Sequence, residues 1–249
     1  IFGFNLAVDA SSRFGNQIPD ALALGGVKFA ALPSVSAAWI ISSEKFMANT
    51  NFVELLKLRA SYGLTGNDDI GNYTTHEYYT SQNLLGLQGL VRANFANPEL
   101  QWEVGKKLDL GLDASFLQDR VNITADYFKN TTDKMLIQEQ APSVSGSSYI
   151  PTNSGGMETN GVEFDLNARI ISSTKWKWDV GFNIATYRNK ITKLPGNSMQ
   201  SQYADATILT QVGMPANLFY GYKTNGVYKS NAEATAAGTG VRNAVGHPS

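Results

Sequence analysis

Between Lys106 and Phe128 the chain reads KKLDLGLDASFLQDRVNITADYF, two runs in which apolar and polar residues alternate around a four-residue break. Leu108, Leu110, Leu112, Ala114 and Phe116 fall on one side of the first run, and Lys107, Asp109, Gly111, Asp113 and Ser115 on the other. The second run sets Val121, Ile123, Ala125 and Tyr127 against Asn122, Thr124 and Asp126. Successive side chains of a β-strand point to opposite faces, so the pattern predicts two strands with one face against oil and the other against water. The oil is either a protein core or a lipid bilayer.

The same period predicts strands elsewhere. Phe2, Phe4, Leu6 and Val8 mark the first, and Val35, Ala37, Trp39 and Ile41 the second. LLKLRASYG gives a third, with Leu56, Leu58, Ala60 and Tyr62 opposite Lys57, Arg59 and Ser61. After the opening pair, GVEFDLNAR sets Val162, Phe164, Leu166 and Ala168 against Glu163, Asp165, Asn167 and Arg169. WKWDVGFNIA sets Trp176, Trp178, Val180, Phe182 and Ile184 against Lys177, Asp179, Gly181 and Asn183, and a weaker eighth strand falls within Asn217 to Tyr228.

Connections sort by length. LQDR and IISSTK are tight, and SSEKFMANTNFVE is intermediate with room for a short helix. Arg13 to Leu32, Leu64 to Glu103, Thr131 to Asn160 and Ile191 to Ala216 read as long polar segments. Short turns alternating with long loops are the arrangement of an outer-membrane barrel. A soluble or surface-exposed β-sandwich, acting as a glycan-binding module, also alternates polar and apolar residues and stays open as the alternative. Its loops have no reason to sort by parity, and its wet face is usually richer in Lys and Glu than the Asp, Asn, Ser, Thr and Gly found here. The expected fold class is therefore all-β: a partial transmembrane antiparallel barrel, with residues 1–249 in one barrel domain.

Composition sharpens this. Charged residues are 16% and aromatic residues 11% of the chain, against roughly a quarter charged in a soluble domain. A net charge of −1 gives no basic field for nucleic acid. There is no cysteine, so neither a disulfide framework nor a Cys-based metal site is available. No apolar run reaches the length of a membrane-spanning helix, which leaves spanning strands open. The sequence begins inside a strand, at IFGFNLAV, and is expected to be an internal piece of a longer protein.

Candidate chemistry is sparse. His76 and His247 lack the convergent ligands of zinc and the partners of a catalytic triad. TGNDDIGN, Thr65 to Asn72, has the composition of a calcium loop but not its ligand spacing, and reads as a loop anchor. NSGGM at Asn153 and GTG at Gly238 have no strand–turn–helix context for phosphate and read as flexible loops. Asp109, Asp113, Asn122, Thr124, Asp126, Glu163, Asp165 and Asn167 line the wet face. Strand alternation spreads their carboxylates along a wall instead of pairing two as in a glycosidase. Trp39, Trp176, Trp178, Tyr127 and Tyr187 lie near strand ends, where an aromatic girdle meets the membrane interface. Tyr73, Tyr78, Tyr79, Tyr149 and Tyr203 lie in loops and suit stacking on sugar or peptide. No catalytic, metal or cofactor set emerges, and an enzyme ranks behind both transporter and binding module.

With these segments in order, the chain resembles the C-terminal part of SusC/RagA-like outer-membrane transporters, a branch of the TonB-dependent receptors. The stretches that carry the resemblance are LPSVSAAWIISSEKF, LKLRASYGLTGN, NPELQWE, LDLGLDASFLQDRVNITADYFKNTTDKML, NSGGMETNGVEFDL and NLFYGYKTNGVY. The resemblance implies a barrel of about 22 strands around a plug domain. It also implies a SusD-like surface lipoprotein over the mouth, and import of oligosaccharide or peptide powered by the TonB–ExbB–ExbD complex. The plug, the TonB-contacting segment and the closing strands of the family pattern have no counterpart here, so about eight strands are expected to form one arc. An arc leaves edge groups that lipid cannot satisfy, so more chain or a partner such as an outer-membrane assembly machine is expected to complete it. The LQDR turn is expected on the periplasmic side and the long segments outside the cell.

Overall fold

The computed structural model describes residues 1–15, 17–19, 21–142, 144, 149–221 and 229–236. In chain order the strands are β1 (Phe2–Asp9), β2 (Leu22–Leu24), β3 (Val27–Ile40), β4 (Val53–Asn67), β5 (Tyr78–Leu84), β6 (Leu87–Asn94) and β7 (Glu103–Phe116). They continue with β8 (Val121–Gln140), β9 (Tyr149–Ser172), β10 (Lys177–Lys193), β11 (Ser198–Tyr203), β12 (Ala206–Gln211) and β13 (Leu218–Tyr220). Two single-turn 3-10 helices, Ile41–Ser43 and Lys45–Met47, fill the connection where a short helix was expected. One helix, α1 (Asn231–Ala236), follows the last strand.

The chain forms two compact units. The first holds Ile1–Met199 and Gln211–Ala216, and is built on one antiparallel sheet in the order β1-β3-β4-β7-β8-β9-β10, with β2 beside β3. The second holds Gln200–Thr210 and the described residues from Asn217 onward, with the small sheet β11-β12-β13.

The seven main strands are those that alternation predicts. Their register keeps each face uniform from strand to strand. Trp39 pairs with Leu58, Leu58 with Leu112, Leu112 with Ala125, Ala125 with Phe164 and Phe164 with Ile184. One residue along, Ala38, Arg59, Gly111, Asp126, Glu163 and Ala185 make the matching row of the other face. A one-residue slip anywhere would exchange the faces. On the apolar face Leu58, Leu110, Val162, Phe182 and Ile184 are 42% to 56% exposed. A sandwich would cover them with a second sheet, and among the described residues none of comparable size exists.

Six expectations need correction. The segment Thr131 to Asn160 is mostly strand, because β8 runs for 20 residues and β9 for 24; alternation stops there, but the backbone ladder does not. Leu64 to Glu103 contains the β5–β6 hairpin, and Ile191 to Ala216 the pair β11–β12. NSGGM is not a flexible loop: it lies in β9, where Gly155 and Gly156 are buried. A Cβ on Gly155 would stand 2.8 Å from Ile137 Cγ1, so bare backbone is needed for close packing. Tyr187 lies opposite Gly161 in the row of Asp109 and Phe128, on the polar face and not in a girdle on the apolar one. The eighth strand shrinks to Leu218–Tyr220, which pairs with β12; residues 222–228, His247 and Gly238 lie outside the described residues.

β1 pairs with β3 and leaves its other edge free among the described residues, so the main sheet is open. At the end bearing the long connections, Phe14, Ile18, Leu100 and Trp102 form a small buried cluster, with Ala21, Ala30, Ile70 and Leu136 packed against it. The Phe14 and Trp102 rings lie 4.7 Å apart.

Candidate functional site

The polar face of the main sheet gathers the chemistry. All eight wall candidates share it. Asp113 pairs with Thr124 and Thr124 with Asp165; Asn122 pairs with Asn167; Asp126 pairs with Glu163. Asp109 lies one row further along, opposite Ser61.

Arg59 organises the centre of this face. It donates from Nε to Asp113 Oδ2 at 2.8 Å and from a terminal nitrogen to Asp113 Oδ1 at 3.1 Å, a two-point grip on one carboxylate. The same terminal nitrogen donates to Asp126 Oδ1 at 2.8 Å, and the other lies 3.8 Å from Asp109 Oδ1. Lys57 adds a second cation 3.3 Å from Asp113. Arg59 stands on β4 and Asp126 on β8, so the guanidinium crosses β7 to reach it. It crosses at Gly111, where a Cβ would stand 2.5 Å from Arg59 Cζ. The glycine is the floor on which the arginine lies.

Glu163 makes no ion pair among the described residues, and Asp165 accepts only from its neighbour Asn167. The face therefore divides into a largely neutralised patch around Arg59 and an acidic patch on β9. Sequence reading placed Arg59 on the wet side but not at a centre, because only register shows three carboxylates on neighbouring strands within its reach.

The connections are held by polar side chains at their bases. Asp68 accepts from Ser11 Oγ at 2.7 Å and its carbonyl accepts from Arg13 at 3.1 Å, so TGNDDIGN ties down residues 11–13 as a loop anchor. Asn153 donates to the carbonyls of Gln101 and Lys134 at 2.8 Å each, and its oxygen accepts from Gln101 N at 2.9 Å. Leu136 N donates to Glu103 Oε1 at 2.8 Å. NPELQWE is thereby fastened across the upper parts of β8 and β9, a role without signal in the sequence pattern.

The tyrosines do not converge. Tyr73, Tyr78 and Tyr79 are exposed on the connection between β4 and β7, Tyr149 is exposed at the start of β9, and Tyr203 belongs to the second unit. Tyr79 donates to Glu77 Oε1 at 2.7 Å, and Arg92 lies 3.1 Å from the same carboxylate with its guanidinium 4.8 Å above the Phe95 ring. Hydrogen bonding to Tyr79, then the Glu77 charge, raises the Arg92 pKa above its ordinary value. A cavity of about 530 Å³ lies at the loop base, lined by residues including Phe14, Ile18, Lys28, His76 and Glu77, and none of the five tyrosines lines it. Among the described residues no group of acidic or histidine side chains is placed to hold a metal ion.

A long amphipathic antiparallel sheet with its apolar face bare defines a wall of an outer-membrane β-barrel. A family model described as TonB dependent receptor-like, beta-barrel, matches residues 4–244, and the chain belongs to that family. It is 34% identical over 257 residues to TonB-dependent receptor P3 of Formosa agariphila, covering 96% of this chain and 24% of that protein. It is 29% identical over 254 residues to TonB-dependent receptor SusC of Bacteroides thetaiotaomicron, covering 94% and 24%. Among solved structures, the RagAB peptide transporter superposes with a TM-score of 0.80 at 30% identity, over 92% of this chain and 24% of that one. The chain spans about a quarter of the length of the curated relatives it matches.

Proposed function

We propose that these residues are one arc of the barrel of a TonB-dependent outer-membrane importer of oligosaccharide or peptide fragments, all within its barrel domain. The observation that carries the reading is the inverted amphipathicity of the main sheet, apolar where it is bare and charged on the side that a barrel encloses. Asp109, Asp113, Asn122, Thr124, Asp126, Glu163, Asp165 and Asn167 then face the lumen, and Leu108, Leu110, Leu112, Val121, Ile123 and Phe182 face lipid. The long connections reach outward with Tyr73, Tyr78, Tyr79, Tyr149 and Tyr203, where a SusD-like lipoprotein would deliver cargo. TonB–ExbB–ExbD would act through a plug inside the wall. The chain's part is mechanical: it supplies a rigid, hydrogen-bonded wall with a charged inner surface.

The test uses the full-length transporter in cells. Cysteines at Gln118 and Leu85 are exposed to an impermeant reagent, and uptake of labelled oligopeptides and oligosaccharides is followed with and without a protonophore. Labelling at Leu85 alone, with uptake of one class abolished by the protonophore, is expected. Labelling at Gln118 alone would invert the topology, and uptake indifferent to the protonophore would remove the TonB-driven mechanism.

A further inference from the structure

We propose that the apolar face of the main sheet carries, at its rim nearer the long connections, a binding belt for a phosphate-bearing glycolipid of the outer leaflet. The inference rests on the reading of that face as the lipid-facing wall. Along it the rows built on Leu58 and Leu112, then on Leu110 and Val162, are apolar, and then the character changes within one step. Lys129 stands opposite Leu108, and Arg188 opposite Asn160 in the same row. In the next row Lys106 pairs with Thr131, Thr131 with Glu158, and Glu158 with Lys190.

Four cations thus face two carboxylates, Glu158 and Asp133. Lys106 lies 2.5 Å from Asp133, while Lys129 and Lys190 share Glu158 at 3.0 and 3.9 Å. Arg188 is exposed and makes no ion pair among the described residues. The patch keeps two positive charges beyond its own neutralisation, spread across four neighbouring strands, roughly 14 Å at about 4.8 Å per strand. The opposite rim differs. There the paired residues of the same face are Phe116, Val121, Ala168, Val180 and Trp178, with no Lys or Arg among them.

A uniform zwitterionic bilayer gives no reason for one rim to be aromatic and the other cationic. An outer membrane is asymmetric, with acyl chains bearing phosphorylated sugars on the outside and phospholipid on the inside. Apolar rows directly below cations match an amphiphile whose chains lie on Leu108, Leu110 and Tyr127 while its phosphates accept hydrogen bonds from Lys129, Arg188 and Lys190. The guanidinium of Arg188, unpaired among the described residues, has the fork geometry that phosphate oxygens fit.

The full-length transporter, purified in mild detergent, is offered bisphosphorylated lipid A, the same lipid stripped of phosphate, or phosphatidylglycerol, and retained lipid is counted by native mass spectrometry. Retention of the bisphosphorylated lipid alone is expected, falling about fivefold for each cation removed in Lys129→Gln, Arg188→Gln and Lys190→Gln. Lys107→Gln, on the opposite face, should leave it unchanged. If the triple variant does not fold, the single Arg188→Gln carries the test, since that side chain has no ion pair to lose among the described residues. Equal retention of phosphatidylglycerol overturns the glycolipid assignment. Retention unaltered in variants that still insert and import overturns the belt and leaves the barrel standing, whereas a spin label at Leu110 that meets water in place of lipid overturns the barrel reading itself.

Discussion

β8 is one strand in two environments. From Val121 to Tyr127 it alternates strictly, and its apolar face, half-buried at Val121, Ile123 and Ala125 and exposed at Tyr127, lies beside Leu110 and Val162, which are 43% and 49% exposed. From Lys129 to Gln140 alternation fails, yet the segment is half-buried under the connections, and its neighbour β9 holds Gly155 and Gly156 in the interior. A protein built for water shows the reverse, with apolar segments covered and polar ones bare. The ladder to β9 runs through both halves, from Val121 opposite Ala168 to Gln140 opposite Tyr149, with irregularities near Met135. Backbone hydrogen bonding is indifferent to what surrounds the side chains; in hydrocarbon it is obligatory, and above the hydrocarbon it stays because side chains and loops cover it.

The comparison breaks most sharply under charge. Leu112→Arg, in the middle row of the apolar face, should cost roughly 2 to 4 kcal/mol near the bilayer midplane, whereas Thr131→Arg, on the same face within the charged rim, should cost about 0 to 1 kcal/mol. Reversible urea unfolding of the full-length protein into vesicles measures both, and equal costs would erase the distinction between the halves. Asn153→Ala should remove three hydrogen bonds that fasten the upper half, costing about 2 kcal/mol and hastening amide exchange at Gln101 while leaving Leu112 protected. Exchange rising equally at both sites would show that the halves are not held separately.

Gly111→Ala probes the lower half from its polar side. The new methyl would displace Arg59 from Asp126, and because these charges are part-exposed the cost should be about 1 to 2 kcal/mol. Gly181→Ala, whose methyl would meet only Asn167 Oδ1 at 3.2 Å, serves as control. An equal effect of both substitutions on the unfolding midpoint would remove Arg59 from the centre of the wall. The smallest effect belongs to the turn beneath β8, where Leu117, Gln118 and Asp119 hold φ of 57° to 59°. Gln118→Gly should stabilise by about 0.5 kcal/mol, since glycine adopts this left-handed backbone without the Cβ clash. A fall in stability would mean that the side chain supports the turn in a way its backbone does not reveal.

The chain's own alternation determined the seven main strands and the division of their faces, because a period of two is a local property that survives without knowledge of neighbours. It placed Asp109, Asp113, Asn122, Thr124, Asp126, Glu163, Asp165 and Asn167 on a common side for the same reason. It did not show where β8 and β9 end, since KNTTDKML and TNSGGMET carry no alternation although the backbone ladder runs on through them. It put Tyr187 in the wrong company, because the residue's face depends on the register of β10 against Gly161 and not on its nearness to a strand end. Arg59 as a centre, Gly111 as its floor, Asn153 as a fastener and the cationic rim from Lys106 to Lys190 all join residues far apart in the chain. Their energies exist only between strands, so pairing alone brought them into being.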